Sequence, residues 1–149
     1  MDPLRALLLL LFLPLRLAAP SACGGGDADE TSSAGTFSAT PAATVTTDTG
    51  TYRIEVHSAP DALPTRGVNE LRLIVTHASD GTPASGLVLA IVPFMPAMGH
   101  GGSVTPTVSA DAVPGTYSVS NVYFFMPGLW ELRTTVATNE HATAQFEVQ

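Results

Sequence analysis

Lysine is absent from this chain of 149 residues, and cysteine occurs only once, at Cys23. A single cysteine excludes an internal disulfide and any metal site built on two cysteines. Beyond residue 22 the sequence has 6 − 2 = 4 arginines and 13 − 1 = 12 acidic residues, a formal net charge of −8. Four scattered arginines cannot form the basic patch that nucleic acid or an anionic membrane surface requires. The composition therefore predicts no nucleic-acid partner.

A long apolar run is also missing. The leucine-rich stretch from Ala6 to Leu13 is too short to span a bilayer, which takes about 20 apolar residues, and is typical of a secretory signal peptide. Small residues precede Cys23 and resemble the lipobox of bacterial lipoproteins, although Pro20 stands where that motif usually has a leucine-like residue. The resemblance implies that residues 1–22 are a signal peptide and that Cys23 is lipidated. The protein is then expected outside the cytoplasm, in the bacterial cell envelope and anchored in a membrane. Ordinary secretion with a free Cys23 is the alternative.

Few large apolar side chains follow Cys23. Residues 24–49 consist mainly of glycine, alanine, serine, threonine and aspartate, with Phe37 as the one aromatic residue. Such a composition buries too little apolar surface to offset the entropy of ordering the chain. We therefore predict that residues 23–49 form a lipidated, flexible tether and that the folded domain comprises residues 50–149.

A helical apolar period is missing from that domain, which instead alternates apolar and polar residues with a period of two. The alternating or apolar runs are bounded by turn residues such as Asp80-Gly81 and Pro114-Gly115. Seven short strands predict an all-β, immunoglobulin-like antiparallel β-sandwich, with a small β-barrel as the competing fold. The predicted strands lie near 52–56, 70–76, 87–92, 104–108, 117–124, 130–136 and 142–148.

Methionine is confined to two loop-like motifs. Apart from Met1, the methionines are Met95, Met98 and Met126, and His100 closes the first motif. Thioether sulfur and imidazole nitrogen suit a soft or borderline metal, above all Cu(I). Loops of an antiparallel sandwich alternate between two poles, so these four residues are expected at one pole.

The remaining histidines are expected at strand ends on the surface. Strand parity places His57 near the methionine pole, and His77 and His141 at the opposite one. This separation argues against a three-histidine zinc site.

The two motifs also suggest a family. Met95-Pro96-Ala97-Met98-Gly99-His100, then Pro114-Gly115-Thr116-Tyr117, then Phe125-Met126-Pro127-Gly128-Leu129-Trp130 resembles the YtkA-like domain, which has FixH-type relatives. The resemblance covers essentially the whole of the predicted domain. It implies an immunoglobulin-like β fold outside the cytoplasm and a link to copper or heavy-metal handling. It supplies no catalytic residues.

Two function classes stay open at this point. In the first, Met95, Met98, His100 and Met126 bind Cu(I). In the second, the methionines cap the sandwich, and the domain is a structural or protein-interaction module with a partner in the cell envelope. An enzyme is not expected, because the sequence has no nucleophile–base pattern, phosphate-binding glycine loop or paired carboxylates.

Overall fold

A computed structural model describes residues 36–137 and 139–149. The predicted signal peptide, the lipidation of Cys23 and the first part of the predicted tether lie outside these residues. Within them the regular secondary structure consists of strands alone, and no helix has the length and apolarity to cross a membrane. The nine strands are β1 (Ala43–Thr46), β2 (Tyr52–Ala59), β3 (Gly67–His77), β4 (Leu89–Met95), β5 (His100–Gly101), β6 (Thr107–Ala110), β7 (Thr116–Phe124), β8 (Gly128–Val136) and β9 (Glu140–Val148).

The strands form two antiparallel sheets, which confirms the predicted all-β sandwich. One sheet has five strands in the order β1-β2-β3-β7-β6, and the other has four in the order β5-β4-β8-β9. All seven predicted strands are present, and the sequence analysis missed β1 and the two-residue β5. Both missed strands lie at sheet edges, where a strand is stabilised on one side only and needs little apolar sequence.

The core lies between the sheets and follows the period-two alternation. In β9, for example, every second residue from Ala142 to Val148 is buried while the residues between them are exposed. Trp130 of β8 and Phe124 of β7 are the largest fully buried side chains, and their rings meet edge to face at 5.2 Å. The core therefore joins the two sheets at the ends of these strands, directly beside the connection between them.

The predicted tether is wrong over its C-terminal part. Strand β1 pairs with β2 from Ala43↔Val56 to Thr46↔Arg53, and before it the amide of Ser38 donates to the Ser58 carbonyl at 3.1 Å. The ring of Phe37 lies 4.2 Å from the Arg72 guanidinium, within the range of a cation–π contact. The prediction failed because it rested on apolar content alone. Pairing with the open edge of β2 uses backbone groups, which every residue except proline supplies in full.

A tyrosine corner holds the connection between β3 and β4. The Tyr117 hydroxyl donates to the Ala84 carbonyl at 2.8 Å and accepts from the Leu87 amide at 3.0 Å. Tyrosine corners of immunoglobulin-like sandwiches bond back to the backbone in this way. The corner lies at the pole opposite the methionine motifs, so the β3–β4 connection is remote from those motifs.

Candidate metal site

A tight hairpin carries the first methionine motif. Met95 ends β4 and pairs directly with His100 of β5, so the two side chains lie on the same face of the sheet. The amides of Met98 and Gly99 donate to the Met95 carbonyl at 3.1 and 3.0 Å and close the turn. Gly99 has a φ of +69°, a conformation that glycine adopts without strain. Met98 is therefore at the tip of the turn, with Met95 and His100 at its base.

Gly101 lets the hairpin return close to β4. A Cβ atom on Gly101 would lie 2.6 Å from the Pro93 carbonyl oxygen, a distance that real Cβ atoms do not show. The next residue, Gly102, donates its amide to the same carbonyl at 3.3 Å. The two glycines after His100 thus allow the chain to press against β4 and keep the imidazole over the end of the sandwich.

The second methionine motif connects β7 to β8 and meets the first. A Cβ atom on Gly128 would lie 2.7 Å from the Met95 methyl carbon, so the Met95 side chain packs directly against Gly128. Met126 is partly buried against the core, and its carbonyl accepts a hydrogen bond from the Trp130 indole nitrogen Nε1 at 3.0 Å. The two motifs, which lie about 30 residues apart in sequence, therefore share one pole of the sandwich.

His100 lies between the motifs. Its ring is stacked on the Phe125 ring with a centroid distance of 5.8 Å and an interplanar angle of 7°. Its Nδ1 donates to the Gly101 carbonyl at 3.2 Å, because a carbonyl can only accept. This bond selects the tautomer in which Nε2 carries the free lone pair that a metal needs.

The three methionines differ in how far solvent reaches them. Met95 is only 6% exposed and belongs to the core, whereas Met98 is 53% exposed. Met126 is intermediate. The interpretation that no methionine lies in a strand is wrong for Met95, because the inward alternation of β4 continues to its last residue. The sequence signal for this was present in Leu89, Ile91 and Pro93, which precede Met95 at every second position.

The other histidines lie elsewhere. His77 pairs with Tyr52 at the opposite pole, and the amide of the exposed His141 donates to the Asp48 side-chain oxygen Oδ1 at 3.1 Å. His57 was expected on the surface, and this is wrong: the residue is 7% exposed. Its Nδ1 donates to the Ser38 carbonyl at 2.8 Å, so the segment that sequence analysis assigned to the tether is what buries it.

Shifted carboxyl pKa values occur at the opposite pole. Hydrogen bonds from Thr49, and then from Thr47 and Thr51, lower the pKa of Glu140. The amide and hydroxyl of Thr82 lower the pKa of Asp80. Among the described residues, no group of three or more histidine, cysteine, aspartate or glutamate side chains could hold a metal ion. The predicted ligand set is of another kind, since it consists of thioethers with one imidazole.

Two contacts of the predicted ligands were not predicted from the sequence. One is the hydrogen bond from the buried Trp130 to the Met126 carbonyl. The other is the stacking of His100 on Phe125, a residue that the sequence analysis names only as part of the second motif. The spacing of four residues from Met126 to Trp130 was visible in the sequence, but only the turn at Pro127 and Gly128 brings the indole back beneath Met126.

Comparison with known proteins gives a family and one structural likeness. No curated protein matches the sequence. The solved structure of a ZirS C-terminal domain is similar at 10% sequence identity, with 94% of this chain and 87% of that chain covered and a TM-score of 0.43. The sequence model of the YtkA-like family matches residues 49–135, from the middle of the β1–β2 turn almost to the end of β8. Because this match covers more than half of the chain, the protein belongs to the YtkA-like family.

Proposed function

We propose that the domain binds Cu(I) at the pole formed by the β4–β5 hairpin and the β7–β8 connection, and that lipidated Cys23 anchors it to a membrane in the periplasm of the bacterial cell envelope. One observation carries the metal proposal. The Met95 methyl group packs against Gly128 and the His100 ring stacks on Phe125, so the two motifs that carry the thioethers and the imidazole are in contact.

The ligand chemistry favours a soft cation. Solvent reaches three members of the set: Met98 and His100 are exposed, and Met126 is partly buried. We assign the binding of the ion to these three residues. Met95 belongs to the same predicted set, and we assign it to the floor of the site because its side chain is buried against Gly128. Neutral thioethers bind Cu(I) well, whereas Ca²⁺ and Mg²⁺ require oxygen ligands.

Proton competition should act on one ligand alone. A thioether has no proton to lose, so acidification opposes binding only through the imidazole of His100. Cu(I) affinity should therefore fall on acidification in the wild type. In a His100→Ala variant the remaining affinity should be nearly independent of pH.

The test is a Cu(I) titration of the purified protein under reducing, anaerobic conditions with a competing chelator. Met98→Leu, Met126→Leu and His100→Ala should each weaken binding, because leucine keeps most of the methionine volume and removes only the sulfur. His141→Ala is the matched control, since it removes an exposed histidine from the opposite pole. Equal binding by all variants, or no uptake by the wild type, would overturn the proposal.

An interaction module is the second candidate, and exposed apolar side chains favour it. On the outer face of the four-stranded sheet Val92 of β4 is 52% exposed and Leu129 of β8 is 42% exposed, and Val88 lies exposed just before β4. If the wild type takes up no Cu(I), the methionine motifs are structural caps and this candidate replaces the first. Neither candidate includes a catalytic step.

A further inference from the structure

Four aromatic rings form a continuous stack from the surface of the methionine pole into the core. His100 is exposed, Phe125 is half-buried, and Trp130 is fully buried. The Phe125 ring lies parallel to His100 on one side and meets Trp130 edge to face on the other, at 5.0 Å and 86°. Trp130 in turn meets Phe124 at 5.2 Å and 63°. Each distance is within the range of favourable aromatic pairing.

The indole of Trp130 is also bonded to the second methionine motif. A buried indole N–H needs an acceptor, and here the acceptor is the backbone carbonyl of Met126 at 3.0 Å. Two of the proposed ligands are thus linked to the buried Trp130 side chain. His100 is linked to it through the Phe125 ring, and Met126 is bonded to it through its own backbone carbonyl.

We infer that Phe125 and Trp130 are positioning residues of the metal site, which hold the His100 imidazole and the Met126 thioether in place before the ion arrives. The inference rests on the proposed function. Binding is stronger when ligands are ordered in advance, because less conformational freedom is lost on binding. The stack supplies this order between His100, which is in β5, and Met126, which lies outside the strands in the connection between β7 and β8.

Core packing alone explains only part of the stack. The contact between Phe124 and Trp130 lies wholly inside the core. In contrast, the ring of an exposed histidine buries little apolar surface, so the stacking of His100 on Phe125 contributes little to the core. Its consequence is the orientation of the imidazole, which matters if Nε2 binds a metal.

The experiment compares Phe125→Leu and Trp130→Phe with the wild type. Phe125→Leu removes the ring beneath His100, and Trp130→Phe removes the hydrogen bond to Met126 but keeps a buried aromatic ring. Each should weaken Cu(I) binding about tenfold or more, the effect usual for groups that orient metal ligands. Phe125→Tyr keeps the ring and should retain wild-type affinity.

Val136→Ala is the matched stability control. Val136 is fully buried on β8, the strand of Trp130, but lies at its opposite end. This variant should lower the melting temperature and leave Cu(I) affinity unchanged. In the metal-free protein, NMR should show shifted His100 ring resonances in Phe125→Leu and shifted Met126 methyl resonances in Trp130→Phe, with both at wild-type positions in Val136→Ala.

The outcomes separate the inference from the function beneath it. If Met98→Leu, Met126→Leu and His100→Ala weaken binding while Phe125→Leu and Trp130→Phe do not, the positioning role is overturned and the Cu(I) site stands. The positioning role is also overturned if Val136→Ala weakens binding as much as they do, because the effect then follows stability. No Cu(I) uptake by the wild type overturns both.

Discussion

At the residue scale, Gly128 is where the two methionine motifs touch. Its φ of +128° is a backbone conformation that residues other than glycine rarely adopt. The Met95 methyl group also occupies the space that a Cβ atom on this residue would need. Two physical reasons therefore favour glycine at position 128 in Met126-Pro127-Gly128: the backbone conformation and the close contact with Met95. The contact also explains how Met95 reaches the core at the end of β4.

Gly128→Ala should lower the free energy of unfolding by about 1–3 kcal/mol, the usual cost of a strained backbone conformation, with a further loss because Met95 must move. Urea denaturation measures the change. Gly67→Ala is the control, because Gly67 has a similar positive φ, +114°, but open space around its Cβ position. Equal losses in the two variants would mean that the contact between Met95 and Gly128 contributes nothing.

At the scale of the element, β1 and the residues before it form part of the domain. Strand β1 extends the five-stranded sheet, and the preceding segment covers His57 and Arg72 through Ser38 and Phe37. The β1–β2 turn is tied to β9 as well, since Thr49 and Thr51 donate their hydroxyls to the Glu140 carboxylate. This short segment therefore connects both sheets at their neighbouring edges.

Deleting residues 36–46 together with everything before them should destabilise the domain by at least about 1 kcal/mol, the net contribution of a single hydrogen bond. The loss is expected because several backbone pairings of β2 disappear and the buried His57 loses its acceptor. Thermal unfolding measures it, and a chain that begins at Thr36 is the control because it keeps every described contact. An unchanged melting temperature in the shorter chain would restore the interpretation of this segment as a tether.

At the scale of the whole molecule, the two poles of the sandwich have different chemistry. The methionine pole combines thioethers, an imidazole and an aromatic stack. The opposite pole has the tyrosine corner and the carboxylates whose pKa values are lowered by threonine hydrogen bonds. The proposed lipidation of Cys23 would anchor this domain in the membrane.

Mass spectrometry of membrane-extracted protein should find a mature chain that begins at lipidated Cys23. The expectation follows from the leucine-rich run and from the small residues before that cysteine. A Cys23→Ser variant is the control, and it should lose the lipid mass and leave the membrane fraction. A soluble wild-type chain with an unmodified Cys23 would contradict the prediction and favour ordinary secretion.

Local sequence determined most of the fold. Period-two alternation and turn residues predicted seven of the nine strands, because burial of one sheet face requires an apolar residue at every second position. Strand parity also placed Met95, Met98, His100 and Met126 at one pole, since successive antiparallel strands reverse direction. The register of β4 with β5, and that of β4 with β8, which puts the end of β4 beside the start of β8, agree with that placement.

Only the tertiary structure decided which of these side chains are buried and what they contact. The pairing of β1 depends on the open edge of β2, which no property of residues 43–46 reveals. The burial of His57 depends on Ser38, which is 19 residues away, and the contact partner of Met95 is Gly128, which is 33 residues away. The stack of His100, Phe125 and Trp130 likewise joins two chain segments, the β4–β5 hairpin and the stretch from Phe125 into β8. Periodicity reports the environment of one strand at a time, whereas these contacts arise where two sheets and their connections close over the same end of the core.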